Sequence, residues 1–362
     1  MNPGTLVIRA DASVAMGTGH VMRCLALAQE WQDSGGEVTF AAAELTPAMA
    51  RRLQNEGMGI ASLHSDRGSA DDAHELAALA HQSRATWVVV DGYQFDSAYQ
   101  RIIKDAGFRL LLIDDTGQCG PYCADFVLNQ NVYANEDMYF GRDSVTKVLL
   151  GPHYALLRRE FSAWRSWSRN SAAVARHLLV TMGGSDPDNF TIPVIGAVQA
   201  VDMEVLEITV VIGGSNIHRE SLRELESRCP KRIRWQINVH NMPELMAGAD
   251  LAISAAGTTC YELALLQVPM VLVTLAENQV PTARALANAS AAIDAGSFHN
   301  FDPQHFGSLV RTLISHCDFR HSLAENARRL VDGLGAHRVG QVLLGDDPTR
   351  SDPVSRLQVG VS

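Results

Sequence analysis

Short runs of β-branched and leucine residues alternate along the chain with longer stretches whose apolar positions recur at helical spacing. In the first half these runs cover residues 5–10, 37–42, 86–91, 109–114, 125–129 and 147–150. Short apolar runs divided by helix-length segments predict parallel strands joined by crossover helices. The rhythm stops at residues 158–176, a polar and basic stretch with Arg158, Arg159, Arg165, Arg169, Arg176, Trp164 and Trp167 and no strand signal. It restarts over 177–182, 205–212, 233–238, 250–254, 270–274 and 291–294, which predicts a second sheet. The expected organisation is therefore α/β. Residues 1–157 form an N-terminal domain, 158–176 a linker, 177–345 a C-terminal domain, and 346–362, turn-forming and polar, a loose tail. Several first-half strands end in Asp or Asn, which puts polar groups at strand carboxyl ends, where open α/β sheets bind ligands.

Composition narrows the partners. The 362 residues are 46% hydrophobic, enough for two buried cores, which argues against a disordered or fibrous chain. Thirty Lys and Arg against forty Asp and Glu leave a formal charge of −10. A general nucleic-acid binder needs a basic field, so that class is disfavoured, although one local phosphate site is not. No stretch approaches the ~18–20 uninterrupted apolar residues of a membrane span, and the N-terminus runs straight into Leu6-Val7-Ile8, so a cytoplasmic location is expected. Six cysteines (Cys24, Cys119, Cys123, Cys229, Cys260, Cys317) are scattered and read mostly as buried thiols. Cys119 and Cys123 have half of a zinc spacing, but no second pair follows, and no metal is expected.

The sharpest chemical signal follows the first strand: Asp11, Ser13, then Gly17-Thr18-Gly19-His20 and Arg23-Cys24 at the start of a helical pattern. Gly17 and Gly19 permit a sharp turn and close approach to a ligand, while a helix opening near His20 aims unpaired N–H groups into the cleft, where phosphate binds. The third position of a dinucleotide fingerprint is Met22, and no P-loop Lys-Ser/Thr follows, so neither a nicotinamide cofactor nor a P-loop is supported. The positive helix end favours neutral imidazole, the form a general base needs; alternatively His20 only caps the turn or lines the cleft. Pairing His20 with Cys24 as metal ligands lacks a third ligand. Asp11 and Ser13 either orient a ligand, a water or His20, or serve the turn itself.

Two later segments repeat the strand–glycine–helix arrangement. Gly183-Gly184-Ser185-Asp186-Pro187 suits either a phosphate or a plain turn. Ser254, Gly257, Thr258 and Thr259 offer small residues and hydroxyls at a helix start, with Glu262 one turn on, placed to accept from ribose hydroxyls or to serve as a solvated carboxylate. Glu262 also reads as a capping carboxylate, and Asn278 as a helix cap. Three such turns in two α/β halves point to a nucleoside diphosphate held between the domains.

These motifs together resemble the UDP-2,4-diacetamido-2,4,6-trideoxy-β-L-altropyranose hydrolase family of pseudaminic acid biosynthesis, which is related to spore-coat polysaccharide proteins and, more distantly, to the bacterial lipid-linked N-acetylglucosaminyltransferase. The resemblance spans roughly residues 5–345. It implies the glycosyltransferase type B fold, two Rossmann-like domains with an interdomain cleft, with UDP held mainly by the second domain and no cofactor or metal. Carried over by position, it implies His20 as the catalytic base, with Gly17 and Gly19 in the preceding turn and Arg23 on the same motif. It further implies Tyr93 near the sugar, Ser254, Gly257, Thr258, Thr259 and Glu262 on diphosphate and ribose, and Asn278 and Gln279 in the adjacent nucleotide-sugar loop. The segment Ala256-Gly257-Thr258-Thr259 departs from the Ala-Gly-Gly-Ser/Thr-Thr of many relatives.

The expected reaction is hydrolysis of a UDP-2,4-diacetamido-2,4,6-trideoxy hexose: water, activated by His20, attacks the anomeric carbon with inversion. Competing expectations are a glycosyltransferase using a UDP-sugar donor, a non-catalytic UDP-sugar binding protein and, more remotely, a UDP-sugar 2-epimerase.

Overall fold

The computed structural model describes residues 3–201, 206–229 and 232–345; the expected tail at 346–362 lies outside the described residues. In the first domain the strands β1 (Thr5–Ala10), β2 (Glu37–Ala42), β3 (Gly59–Ser62), β4 (Ala85–Asp91), β5 (Arg109–Ile113), β6 (Phe126–Asn129) and β7 (Lys147–Leu150) alternate with helices α1 (Gly19–Asp33), α2 (Pro47–Asn55), α3 (Ala70–Gln82) and α4 (Ser97–Asp105). All the strands pair in parallel, in the order β3-β2-β1-β4-β5-β6-β7.

The second domain contains β8 (His177–Thr181), β9 (Glu207–Ile212), β10 (Ile233–Ile237), β11 (Leu251–Ala255), β12 (Met270–Thr274) and β13 (Ile293–Ser297). Its parallel order is β10-β9-β8-β11-β12-β13. Helices α5 (Thr191–Gln199), α6 (Arg219–Arg228), α7 (Met242–Gly248), α8 (Thr259–Leu265), α9 (Val280–Asn288), α10 (Pro303–Ser315) and α11 (Cys317–Leu330) complete it in sequence, and α12 (Gly335–Leu344) follows.

Both sheets are covered on two sides, which is why their central strands are apolar runs rather than alternating ones. Leu6 and Ile8 face α1 and Trp31, while Val7 faces Ala73, Leu76 and Tyr99. Arg9, fully buried in β1, is tolerated because Asp11 (2.8 Å) and Asp72 (3.0 Å) neutralise it.

α12 departs from the expected 177–345 span. Ala336, Val339 and Leu343 join the core of the first domain beside α1, and Trp87 Nε1 donates to the Leu343 carbonyl at 2.8 Å. The expected linker is partly ordered as a 3-10 helix (Arg159–Trp164), and its Arg169 donates to the carbonyls of Met246 and Ala247 at the end of α7. These carbonyls lie in the last turn of α7, where a cation is favourable.

Strand order places the chemistry. In each sheet the connection reverses at one point, between β1 and β4 and between β8 and β11. The crevice at such a switch point, outside the strand carboxyl ends, is where open α/β sheets take ligands. α1 follows β1, and α8 follows β11.

Candidate functional site

The two switch points face each other across a cleft of about 330 Å³. From the first domain come Met16 to His20, Arg23, Tyr93, Asp115, Asn131 and Tyr133; from the second come Gly183, Gly184, Gly257 to Thr259, Glu262, Asn278 and Gln279. Arg158, read from sequence as linker, lines it too.

The turn before α1 is built by its own polar groups. Ser13 Oγ accepts from Met16 N at 3.1 Å, its carbonyl accepts from Gly17 N at 2.9 Å, and Gly17 takes φ +86°, a conformation that favours glycine. Asp11 is equally committed. Its Oδ1 accepts from Ala43 N (2.8 Å) and Glu44 N (3.0 Å), and Oδ2 pairs with Arg9. Neither Asp11 nor Ser13 lines the cleft: Ser13 serves the turn, and Asp11 the backbone just after β2 together with Arg9. Ser254, fully enclosed, donates to the Ala255 carbonyl and is likewise outside the lining.

Thr18, at the N-cap of α1, makes no capping hydrogen bond, which leaves first-turn N–H groups open to the cleft. A Cβ built on Gly19 or Gly257 meets no protein atom within 4 Å, so the packing of the chain does not require glycine at either position. Gly184 differs: a Cβ there would run into Thr18 Oγ1, so this glycine lets the two domains touch. Asp186, at φ +43°, accepts from Phe190 N (2.7 Å) and Thr191 N (3.0 Å) and opens α5.

His20 stands edge-on to Tyr93, with ring centroids 5.1 Å apart. The Tyr93 hydroxyl accepts from Asn278 Nδ2 at 2.9 Å, a bond between the domains. Burial and Asp115 push the Tyr93 phenol above its ordinary value, so the hydroxyl keeps its proton. Below His20, Arg23 is forked to Asp91 (Nη2–Oδ1 2.7 Å, Nε–Oδ2 2.8 Å) and held by Asp115 (Nη1–Oδ2 2.7 Å). Burial pushes the Asp91 carboxyl up, but Arg23, with His20 adding to it, outweighs burial and holds Asp91 below the usual carboxylate range. Arg23 is thus fully engaged with carboxylates and acts on the site by holding its floor together.

On the other wall Glu262 meets Arg158 at 2.7 Å, and Arg158 also reaches Glu160 at 2.8 Å. Burial raises the Glu262 carboxyl, with Arg158 opposing. Gln279 Oε1 accepts from Leu275 N at 2.9 Å and braces its own loop.

Asp91, Asp115, Asn131, Tyr133 and Arg158 were not singled out as site residues from sequence. The available signal was positional: Asp91 ends a strand, and Asp115 and Asn131 lie just past strand ends. Cys24 is buried and donates to Asp91 Oδ2 at 3.3 Å. Among the described residues no three His, Cys, Asp or Glu side chains converge as metal ligands, and no helix is long and apolar enough to cross a membrane.

With this geometry in place, comparison with known proteins is informative. Residues 178–301 match the glycosyltransferase family 28 C-terminal domain. The fold is the glycosyltransferase type B fold, two Rossmann-like domains around a cleft: MurG of Acinetobacter baumannii superposes with a TM-score of 0.63 at 18% identity, covering 94% of this chain and 99% of that one. The resemblance read from the motifs has a counterpart in a curated relative. The UDP-2,4-diacetamido-2,4,6-trideoxy-β-L-altropyranose hydrolase of Campylobacter jejuni is 24% identical over 291 residues, 80% of this chain and 98% of that protein. An uncharacterized protein of Methanocaldococcus jannaschii is 26% identical over 273 residues; the match takes in 74% of this chain and 55% of that longer relative.

Proposed function

We propose that the protein hydrolyses a UDP-2,4-diacetamido-2,4,6-trideoxy hexose of the altrose type, in the biosynthesis of pseudaminic acid, releasing UDP and the free sugar. The observation that carries this reading is the position of His20: in the first turn of α1, on the cleft, edge-on to Tyr93 and opposite the Gly257–Thr259 turn.

In the proposed step a water donates its proton to His20 as its oxygen bonds to the anomeric carbon. The bond from that carbon to the β-phosphate oxygen breaks, its electron pair leaves with UDP, and the configuration inverts. Many glycosidases use two carboxylates because an alkoxide must be protonated as it departs. A nucleoside diphosphate is a far better leaving group, so backbone N–H groups and hydroxyls at Gly257, Thr258 and Thr259 suffice to stabilise it. This suits a site whose lining carboxylates, Asp115, Asp186 and Glu262, are already spent on Arg23, on the first N–H groups of α5 and on Arg158. Neither metal nor cofactor has a part in this step.

The second reading, a transferase passing the sugar to another hydroxyl, is favoured by the glycosyltransferase match over 178–301. Phosphorus NMR of the protein with the UDP-sugar, excess EDTA and no acceptor separates the two. Steady UDP release supports the hydrolase, and intact substrate that is consumed only on addition of an acceptor supports the transferase.

A further inference from the structure

Asn131 follows β6 at the carboxyl edge of the first sheet and is 7% exposed. Both ends of its amide are engaged, each by a different domain. Nδ2 donates to Asp115 Oδ1 at 2.7 Å and to Asn129 Oδ1 at 2.9 Å, all within the first domain. Oδ1 accepts from the Tyr261 hydroxyl at 2.9 Å on α8 and lies 3.4 Å from Thr282 Oγ1 on α9, both in the second. Chemistry fixes this orientation: the Asp115 carboxylate only accepts, so the NH₂ must face it and the carbonyl must face the hydroxyls.

The contacts continue in both directions. Asp115 Oδ2 binds Arg23, which lies three residues beyond His20 on the same face of α1. Tyr261 sits on α8 between Thr259 and Glu262. A buried line of hydrogen bonds, Tyr261–Asn131–Asp115–Arg23, therefore joins the segment that lines the nucleotide side of the cleft to the helix that carries His20. Asparagine suits the junction because it donates to one side and accepts from the other. Aspartate would set a second carboxylate against Asp115, and an aliphatic residue would take this partner from both Asp115 Oδ1 and the Tyr261 hydroxyl.

We infer that Asn131 is a positioning residue that registers the second domain against His20. The inference rests on the hydrolase reading for its turnover test, because a misplaced attacking group costs rate even where binding is intact.

The test compares Tyr261→Phe, Asn131→Ala and the double variant by kcat at saturating UDP-sugar, by calorimetric UDP affinity and by melting temperature. Each single variant is expected to lose roughly tenfold to a hundredfold in kcat, with UDP affinity within about threefold of wild type. The double variant should lose no more than the worse single one, because both act through one bond. Wild-type kcat in a folded single variant, or losses that multiply, would overturn the inference. If Asn131→Ala does not fold, Tyr261→Phe, which deletes one oxygen, decides alone. If the wild-type protein releases no UDP, the hydrolase reading fails separately. Registration is then read, in the UDP complex, from the distance distribution between one spin label on each domain. A broader distribution in Tyr261→Phe than in wild type supports the inference, and equal widths overturn it.

Discussion

Asn278 Nδ2 donates to the Tyr93 hydroxyl at 2.9 Å, so the aromatic ring that stands edge-on to His20 is held in place by the opposite domain. The His20 side of the cleft is thus braced across the boundary between the domains. Tyr93→Phe removes that bond and leaves the ring. It is expected to lower turnover while shifting stability by less than about 1 kcal/mol, the usual net worth of one partly exposed hydrogen bond. Steady-state kinetics beside a urea melt check both halves.

His20→Asn keeps the approximate shape of the ring edge and removes the base. UDP affinity by calorimetry is expected to stay near wild type and turnover to fall by about 10²–10⁴-fold, the common range for a positioned acid or base. Near-wild-type turnover in a protein that binds UDP normally would remove His20 from the mechanism.

The glycines separate by what lies in front of them. At Gly19 and Gly257 an added methyl meets no protein atom within 4 Å. Gly19→Ala and Gly257→Ala should therefore leave the melting temperature unchanged or slightly raised while weakening UDP binding. Gly184→Ala should destabilise the closed pairing of the domains, because its Cβ runs into Thr18.

Arg158 and Glu262 test the second wall. Arg158→Met leaves the Glu262 carboxylate buried without its partner, and the expected loss is about 3–5 kcal/mol, the range for breaking a buried pair. Glu262→Gln should cost less, since Arg158 keeps Glu160 at 2.8 Å. Chemical denaturation of both variants gives the order directly.

Acid stability follows from Asp91. Its carboxyl is held below the usual range by Arg23 against burial, so the stability it contributes is present above the unfolded value near ~3.9 and is lost as pH falls through the folded value. Asp91→Asn should lower stability at neutral pH and flatten the acid limb of a stability–pH profile. An unchanged limb would mean that other groups carry it.

Much of this was legible in the sequence where the information is local. The strands at 5–10, 37–42, 147–150 and 270–274 coincide with β1, β2, β7 and β12: β12 is buried throughout and leaves an uninterrupted apolar run, while β7, at the sheet edge, is marked by Val148-Leu149-Leu150 although only Leu149 is fully buried. β3 was not legible: Gly59–Ser62 is a four-residue edge strand with a single large apolar residue, Ile60, and no fully buried position. α12 reads as a helix, but its docking on α1 and Trp87 is a contact across some 256 positions, which periodicity does not carry. At the site, the turns at Gly17–His20 and Gly257–Glu262 were legible as strand–glycine–helix patterns. Asp11 and Ser13 were open to a ligand role or a turn role; Ser13 serves the turn before α1, and Asp11 the backbone just after β2. Asp115 and Asn131 were marked only by their places just past strand ends, and the roles of Asn131 and Arg158 across the cleft come from Tyr261 and Glu262, 130 and 104 positions away.

The central claim, that water activated in this cleft attacks the sugar carbon rather than phosphorus, is tested most directly by running the reaction in ¹⁸O-labelled water with EDTA and no acceptor, and locating the label by mass spectrometry. The account predicts label in the anomeric hydroxyl of the released sugar and none in UDP. Label in UDP, or no release of UDP at all, would contradict it.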